Sequence, residues 1–357
     1  MKIFDWYILK RYITTFLMLI LLFIPIGVII DLSEKIDNMV ESEAPVDEVI
    51  EYYFYFTIYF ANLLFPILLF LSIIWFTSKL ANNTEIVAFL SSGVSFYRFL
   101  RPYLFGAAIV CLIAISFSMY IVPKANVGFF EFKYAYLESD EATENTRDSY
   151  RQINENEVIY ATNFKSRDST ARNFTLEHFK GNELVFKIKA DRLEVVGDSI
   201  YRLSNYKKRI ILSEEDSLIS TVTKDTLLPF EFGELTPKIY EAETLSYFEL
   251  VDFIEDQRRR GSPELNRYVI ALHKRWSTPI SAFVLTFIAV AVSSIKRRGG
   301  IGLSLMIGIA IAFSYIFIDK VLASVAVESN FSPIIAVWTS NIIFAIVAFM
   351  LVKKAKR

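Results

Sequence analysis

The sequence predicts an α+β membrane protein: six transmembrane helices in a three-plus-three arrangement, with a β domain inserted between the two halves. Three observations carry this. Three long apolar runs, a long polar stretch and three more apolar runs follow one another along the 357 residues, and a hydrocarbon core of roughly 30 Å takes about 20 helical residues to cross. The chain is 54% hydrophobic and 15% aromatic yet 22% charged, a mixture that neither a soluble globule nor a bare bundle needs, so the charges must be segregated. They are: basic residues gather on one side of the runs and acidic residues on the other.

The first span is expected over Ile13 to Ile30, opened by Lys2, Lys10 and Arg11 and closed by Asp31. A charged start before an apolar run also describes a signal peptide. Ile26 to Asp37 lacks a small-residue cleavage pattern and further spans follow, so the run is expected to stay as a span. The second is expected over Tyr53 to Phe76, with Pro66 inside it, and the third over Phe99 to Val122, stopping before Pro123. Pro279 to Ile295, Ile301 to Ile318 and Pro333 to Val352 supply the rest.

Orientation follows from Lys and Arg near the span ends. The N-terminal segment, Lys79, Arg98 and Arg101 after span two, Lys296, Arg297 and Arg298 after span four, and Lys353, Lys354, Lys356 and Arg357 at the tail all fall on one face, which is expected to be cytoplasmic. The loop after span one carries Glu34, Asp37, Glu41, Glu43, Asp47 and Glu48 against Lys35 alone, and belongs outside with the large domain. Cys111, the single cysteine, rules out an internal disulfide.

The polar stretch reads as β. Alternating runs at Glu157 to Ala161, Phe174 to Phe179, Leu184 to Ala190, Arg192 to Val196 and Ile200 to Leu203 are separated by turn residues such as Lys180-Gly181-Asn182 and Gly197-Asp198-Ser199. Short strands at this spacing predict a sandwich or jellyroll. His178 and His273 are far apart, so a histidine metal site is not expected, and a strand histidine reads first as packing. Ser246 with Glu249 forms a capping box ahead of an apolar stripe through Tyr247, Leu250, Val251 and Ile254. Arg258, Arg259 and Arg260 end that helix, reading either as partners of the negative helix terminus or as contacts to lipid phosphates. Ser262-Pro263 then starts the helix that runs into span four.

The loop between spans two and three predicts a short helix over about 83–92. Asn82 or Asn83 is expected to cap it, Glu85 lies in its first turn and Gly93 ends it. Ile86, Phe89, Leu90 and Gly93 share one face. Two readings stand side by side: a helix that inserts into a groove on another protein, or one lying in the lipid interface with Glu85 as an N-terminal acid.

Phe4-Asp5-Trp6-Tyr7-Ile8-Leu9-Lys10-Arg11-Tyr12, the loop Asn83-Thr84-Glu85-Ile86-Val87-Ala88-Phe89-Leu90-Ser91-Ser92-Gly93-Val94-Ser95 and Arg297-Arg298-Gly299-Gly300 resemble the LptF/LptG (YjgP/YjgQ) permeases of the lipopolysaccharide exporter, over the whole chain and with an LptG-like length and Asp319-Lys320 pair. The resemblance implies transmembrane helices with the loop helix over 1–123, a periplasmic β-jellyroll with its connecting helix over 124–262, and transmembrane helices again over 263–357. It implies a multi-pass protein of the bacterial inner membrane with both termini cytoplasmic. It further implies an ATP-driven pump whose ATP and magnesium are bound by a separate cytoplasmic ATPase dimer, LptB-like. Its other partners are a second permease, LptF-like, a single-span jellyroll protein, LptC-like, and a periplasmic bridge protein, LptA-like; the cargo is lipopolysaccharide, and no nucleic acid is involved.

The chain itself has no G-x-x-x-x-G-K-[ST] phosphate loop, as a subunit driven by an external motor requires, and no cofactor is expected in it. By resemblance Glu85, with Ile86, Phe89 and Leu90, couples to the ATPase, and a position at the outer end of span one meets lipid phosphates. That position here is Asp31, with Lys35 one turn on as the substitute and Lys133 as a second basic candidate. Asp31, Asp319 and Lys320 are expected at the outer boundary as interfacial residues. The rival function is a membrane-anchored sensor or scaffold whose outer β domain binds a ligand. An intramembrane enzyme needs a cluster of acids, histidines or a nucleophile within the spans, which the sequence does not display.

Overall fold

The computed structural model describes residues 3–137, 149–154, 156–165, 170–181, 183–197, 200–211, 216–228, 230, 241–259, 262, 264–295, 300–329 and 331–355. Lys2, Asn182, Asp198, Ser199, Arg260, Gly261, Pro263, Lys296, Arg297, Arg298, Gly299, Lys356 and Arg357, named above, lie outside the described residues.

Six helices are long and apolar enough to cross a membrane, and the protein is a multi-pass helical membrane protein with an inserted β-sheet domain. They are α1 (Ile3–Glu41), α2 (Val46–Asn82), the Phe96–Leu137 rod, α8 (Leu265–Ser293), α9 (Gly300–Glu328) and α10 (Pro333–Ala355). Most exceed the apolar runs that mark them, because hydropathy records only the part inside hydrocarbon while an amphipathic helix continues into water. The third runs furthest past its expected end, to Leu137 rather than Val122. Pro123 does not end it: α4 (Phe96–Ser116) passes through a π-helical turn at Phe117–Ile121 into α5 (Val122–Phe132) and a second π turn at Lys133–Leu137. Proline lacks an N–H and crowds the carbonyl four residues back, and a widened turn relieves both.

Residues of α1, α2, α4, α8, α9 and α10 share the membrane core, with α8 innermost; 67% of its most apolar window is buried, against 11% for α1 and 22% for α9. Tyr12 hydrogen bonds Thr286 at 2.9 Å and Thr77 pairs with Tyr103 at 3.0 Å, so buried hydroxyls tie helices that apolar packing alone leaves free to slide. Toward the sheet, the ends of α1 and α2 and all of α5 project as a stalk around Met39, Tyr52, Phe56, Phe129 and Phe132.

The sheet is a six-stranded antiparallel meander in the order β1 (Ser149–Asn154), β2 (Glu157–Lys165), β3 (Thr170–Lys180), β4 (Glu183–Gly197), β5 (Ile200–Ile210), β6 (Ser217–Leu227). The runs Leu184 to Ala190 and Arg192 to Val196, expected as separate strands, are one strand of 15 residues. What breaks the alternation near Asp191 is irregularity in its neighbours. Asn173 on β3 and Asn205 on β5 take left-handed φ of 49° and 54°, and Asn205 donates to Asp191 at 2.7 Å. Asparagine tolerates that backbone conformation, so the sheet bends there without ending a strand. One face is packed by Phe174, Leu176, Leu193, Tyr201 and Leu203. His178 stacks on Phe186 and pairs with Glu157 at 3.0 Å.

The chain returns through α6 (Glu241–Thr244) and α7 (Tyr247–Arg259). Half of the capping box forms: the Ser246 N–H donates to Glu249 Oε2 at 2.8 Å, and Leu250 and Ile254 are buried as the stripe requires. Hydrogen bonds from the Ser246 side chain, then its backbone, hold the Glu249 carboxyl below its usual range. A depressed carboxylate contributes stability above its unfolded pKa that is lost as pH falls through the folded value. The first turn of α7 is therefore expected to fray on acidification, seen as faster amide exchange at Phe248–Leu250 corrected for intrinsic rates. Glu249→Ala is expected to exchange fast at both neutral and acid pH.

Candidate functional site

The loop helix α3 (Glu85–Ser91) forms where expected, but it begins differently. Neither Asn82 nor Asn83 caps it; Thr84 holds the first position with φ 62°, and no side chain accepts from the opening N–H groups. Gly93, at φ 86°, closes the far end as a glycine in the left-handed region does.

Its residues face two ways. Ile86 is buried in the bundle core, and Phe89 stacks on Phe4 of α1 with ring centroids 3.9 Å apart and planes 13° apart. Leu90 is half-buried against the same core. The shared apolar face of α3 thus packs inward, while Val87, Ala88 and Ser91 are exposed. Glu85 is half-buried, accepting from the Tyr7 hydroxyl at 3.3 Å and from Asn83 Nδ2 at 3.2 Å. Nearby, Asp5 is buried and receives both Arg98 nitrogens, at 2.6 and 2.7 Å. Reasoning from sequence singled out α3 and missed this support from the first turn of α1, although Phe4, Asp5 and Tyr7 lie in the N-terminal motif.

The second set sits at the other end of the bundle. Asp31 does not close its helix, which runs on to Glu41. Its carboxylate is bridged by Lys35 at 2.5 Å and by the Tyr52 hydroxyl at 3.1 Å, and Lys35 also donates to Tyr52 at 3.2 Å. The cation read as a substitute for Asp31 is therefore its partner. Lys133 lies on the second π turn with its ammonium 5.7 Å from the Tyr134 ring centroid.

Asp319 is half-buried. It accepts from Lys274 of α8 at 3.0 Å and from Ser340 of α10 at 3.1 Å, beside a chain in which Tyr315 donates to Asn341 and Asn341 to the Ser277 carbonyl, each at 3.0 Å. The later helices are thus joined by buried and half-buried polar groups that sequence spacing did not display, because the two partners of each contact come from different helices. Lys320, the next residue, is exposed.

A sequence profile described as lipopolysaccharide export system permease LptF/LptG matches residues 6–354. The chain belongs to the LptF/LptG permease family. No curated protein matches it. Among the described residues of this LptF/LptG-family permease, no group of three or more His, Cys, Asp or Glu is placed to hold a metal ion. For the family member in hand, α3 near the start of α1, the Asp31–Lys35 pair toward its other end and the Asp319–Lys274 pair of the later helices are places where packing holds charged side chains. Tyr7 and Asp31 are 24 residues apart along α1, about 36 Å of rise.

Proposed function

We propose that this permease is the LptG-type transmembrane subunit of an ATP-driven exporter in the bacterial inner membrane, with both termini cytoplasmic and three spans on each side of a periplasmic jellyroll-type domain. It takes lipopolysaccharide from the membrane and passes it to that domain. An LptB-like ATPase dimer supplies the work, an LptF-like permease completes the cavity, and LptC-like and LptA-like jellyroll proteins carry the lipid onward. The observation that carries the reading is α3: its apolar side is spent on the bundle, and its outward side, with Glu85 held at the rim, is left for a partner. Ile86, Phe89 and Leu90 then serve coupling by seating the helix rather than by entering the partner's groove.

Lipid entry between helices one and five of opposing permeases is supported by exposure, since α1 and α9 carry large apolar side chains such as Leu21, Ile29, Phe313 and Phe317 on their outer faces. The hand-off is supported by β6, an edge strand whose Leu218, Val222 and Leu227 are exposed and whose outer backbone groups can pair with another strand. At the sheet side, a lipid phosphate must compete with Asp31 for Lys35, and Lys133 offers a second cation.

The test is Glu85→Lys in the co-expressed complex. Reversing the charge at the rim is expected to lower ATPase co-purification or lipid-stimulated turnover at least about tenfold, the size of a lost charge-assisted contact. Unchanged association together with unchanged turnover sinks the coupling role.

A further inference from the structure

We propose that the first turn of α1 and the loop helix α3 move as one rigid unit, with Tyr7 as the residue that positions Glu85, so that force received at α3 enters α1 directly and travels along it to the Asp31–Lys35 end. The inference rests on the reading of α3 as the ATPase contact. It adds the route by which the stroke leaves that contact.

The ties between α1 and the loop are of three chemical kinds. Phe4 stacks flat on Phe89, Tyr7 donates to Glu85, and the buried Asp5 takes a two-pronged ion pair from Arg98. Arg98 lies in the first turn of α4, whose start is capped by the Ser95 side chain accepting from the Arg98 N–H. One turn of α1 therefore grips both α3 and the beginning of the helix after it. A stacked ring pair and a paired fork of hydrogen bonds each fix orientation as well as distance.

The covalent connections of α3 are of the opposite character. Before it stands Thr84 at φ 62°, and after it Gly93 at φ 86°, with nothing within 4 Å of where a glycine Cβ would lie. Both are single-residue changes of direction rather than continuations of α2 or α4. A helix that is jointed at each end and stacked on a third element follows that third element. The third element is also well suited to carry motion. α1 is a single helix of 39 residues that continues through Pro25, and 11% of its most apolar window is buried, the smallest share among the six helices. It meets α2 closely at Gly27, where a Cβ would come within 2.1 Å of the Phe60 ring. That contact gives the rod a place to bear against.

The experiment uses the full complex, the chain with its ATPase and second permease, reconstituted in liposomes containing lipopolysaccharide. In a Cys111→Ser background, Phe4→Cys and Phe89→Cys are joined by a short thiol-reactive cross-linker. The double cysteine variant has lost the ring stack and is expected to transfer lipid at least about threefold more slowly than wild type, and cross-linking, which replaces that tie, is expected to recover at least about half of the loss. A fall beyond about tenfold on cross-linking shows that α3 must leave α1 during the cycle, and overturns the proposal. Independently, Tyr7→Phe keeps the ring and removes the hydroxyl, and is expected to lower lipid-stimulated ATP turnover about three- to tenfold in the wild-type background and not at all with Glu85→Gln. Equal losses in both backgrounds show that Tyr7 does not act through Glu85 and also overturn it. Failure of the ATPase reading itself has a different signature, namely Glu85→Lys leaving association and turnover intact.

Discussion

Tyr52→Ala is expected to destabilise the protein by about 3–5 kcal/mol, the cost of truncating a fully enclosed aromatic side chain. Tyr52 is 1% exposed, with Phe132 and Phe129 ring centroids at 4.6 and 5.4 Å and Phe56 at 6.1 Å. It stands where α2 meets α5, so the truncation opens space within the stalk. The same substitution removes the hydroxyl that donates to Asp31 and accepts from Lys35. Tyr52→Phe separates the two contributions: the ring remains, one donor to Asp31 is lost, and about 1–3 kcal/mol is expected. Thermal unfolding in detergent, with both variants beside wild type, measures the split. A loss under about 1 kcal/mol for the alanine variant contradicts a packed aromatic stalk.

Arg275→Met is expected to release the connector between the sheet and the later helices. Arg275 is 6% exposed on α8, and its Nη2 donates to the carbonyls of Ala242 at 3.1 Å and Leu245 at 2.5 Å, while Asn126 of α5 donates to the neighbouring carbonyl of Glu243 at 3.0 Å. These donors bind α6 to both halves of the bundle. Methionine fills much of the arginine's space and donates nothing, so two buried carbonyls lose their partner at about 1–3 kcal/mol each. Part of this is recovered, since a guanidinium no longer has to be held out of water. The net result is expected to be local. Amide exchange over 241–250 should rise at least about tenfold, with α1 and α2 unchanged. Arg275→Lys, with a compact ammonium that reaches one carbonyl more readily than two, should fall between. Protection equal to wild type in the methionine variant overturns the clasp.

Much of the architecture was legible because the physics behind it is local. A run of apolar residues signals a crossing helix whatever surrounds it, and Ser246 with Glu249 signals a helix start because the two groups satisfy each other. Gly93 was legible for the same reason. Thr84 was not: a threonine at φ 62° is disfavoured locally, and it is held there by how α3 seats on the bundle. Pro123 misled in the same way, since a local breaker is tolerated once a π turn makes room for it. At the candidate sites, Glu85 could be picked out from its motif, but the residues that orient it, Tyr7 and Asn83, are known only from contact. Lys35 was read as the substitute for Asp31, although four residues on along one helix it already stood where an ion-pair partner falls.

The amino-acid sequence by itself determined that six helices are long and apolar enough to cross a membrane, that a β domain interrupts them, and where the loop helix and its acid fall, since these depend on hydropathy, alternation and turn chemistry within a few residues. Tertiary structure alone decided which face of α3 is spent on the bundle, that the Asp31–Lys35 pair is closed by Tyr52 of α2, and that Lys274, Asp319 and Ser340 meet. Those outcomes join side chains from different helices, and in a membrane, where lipid competes for apolar faces but not for buried polar groups, such pairings are set by where the helices cross.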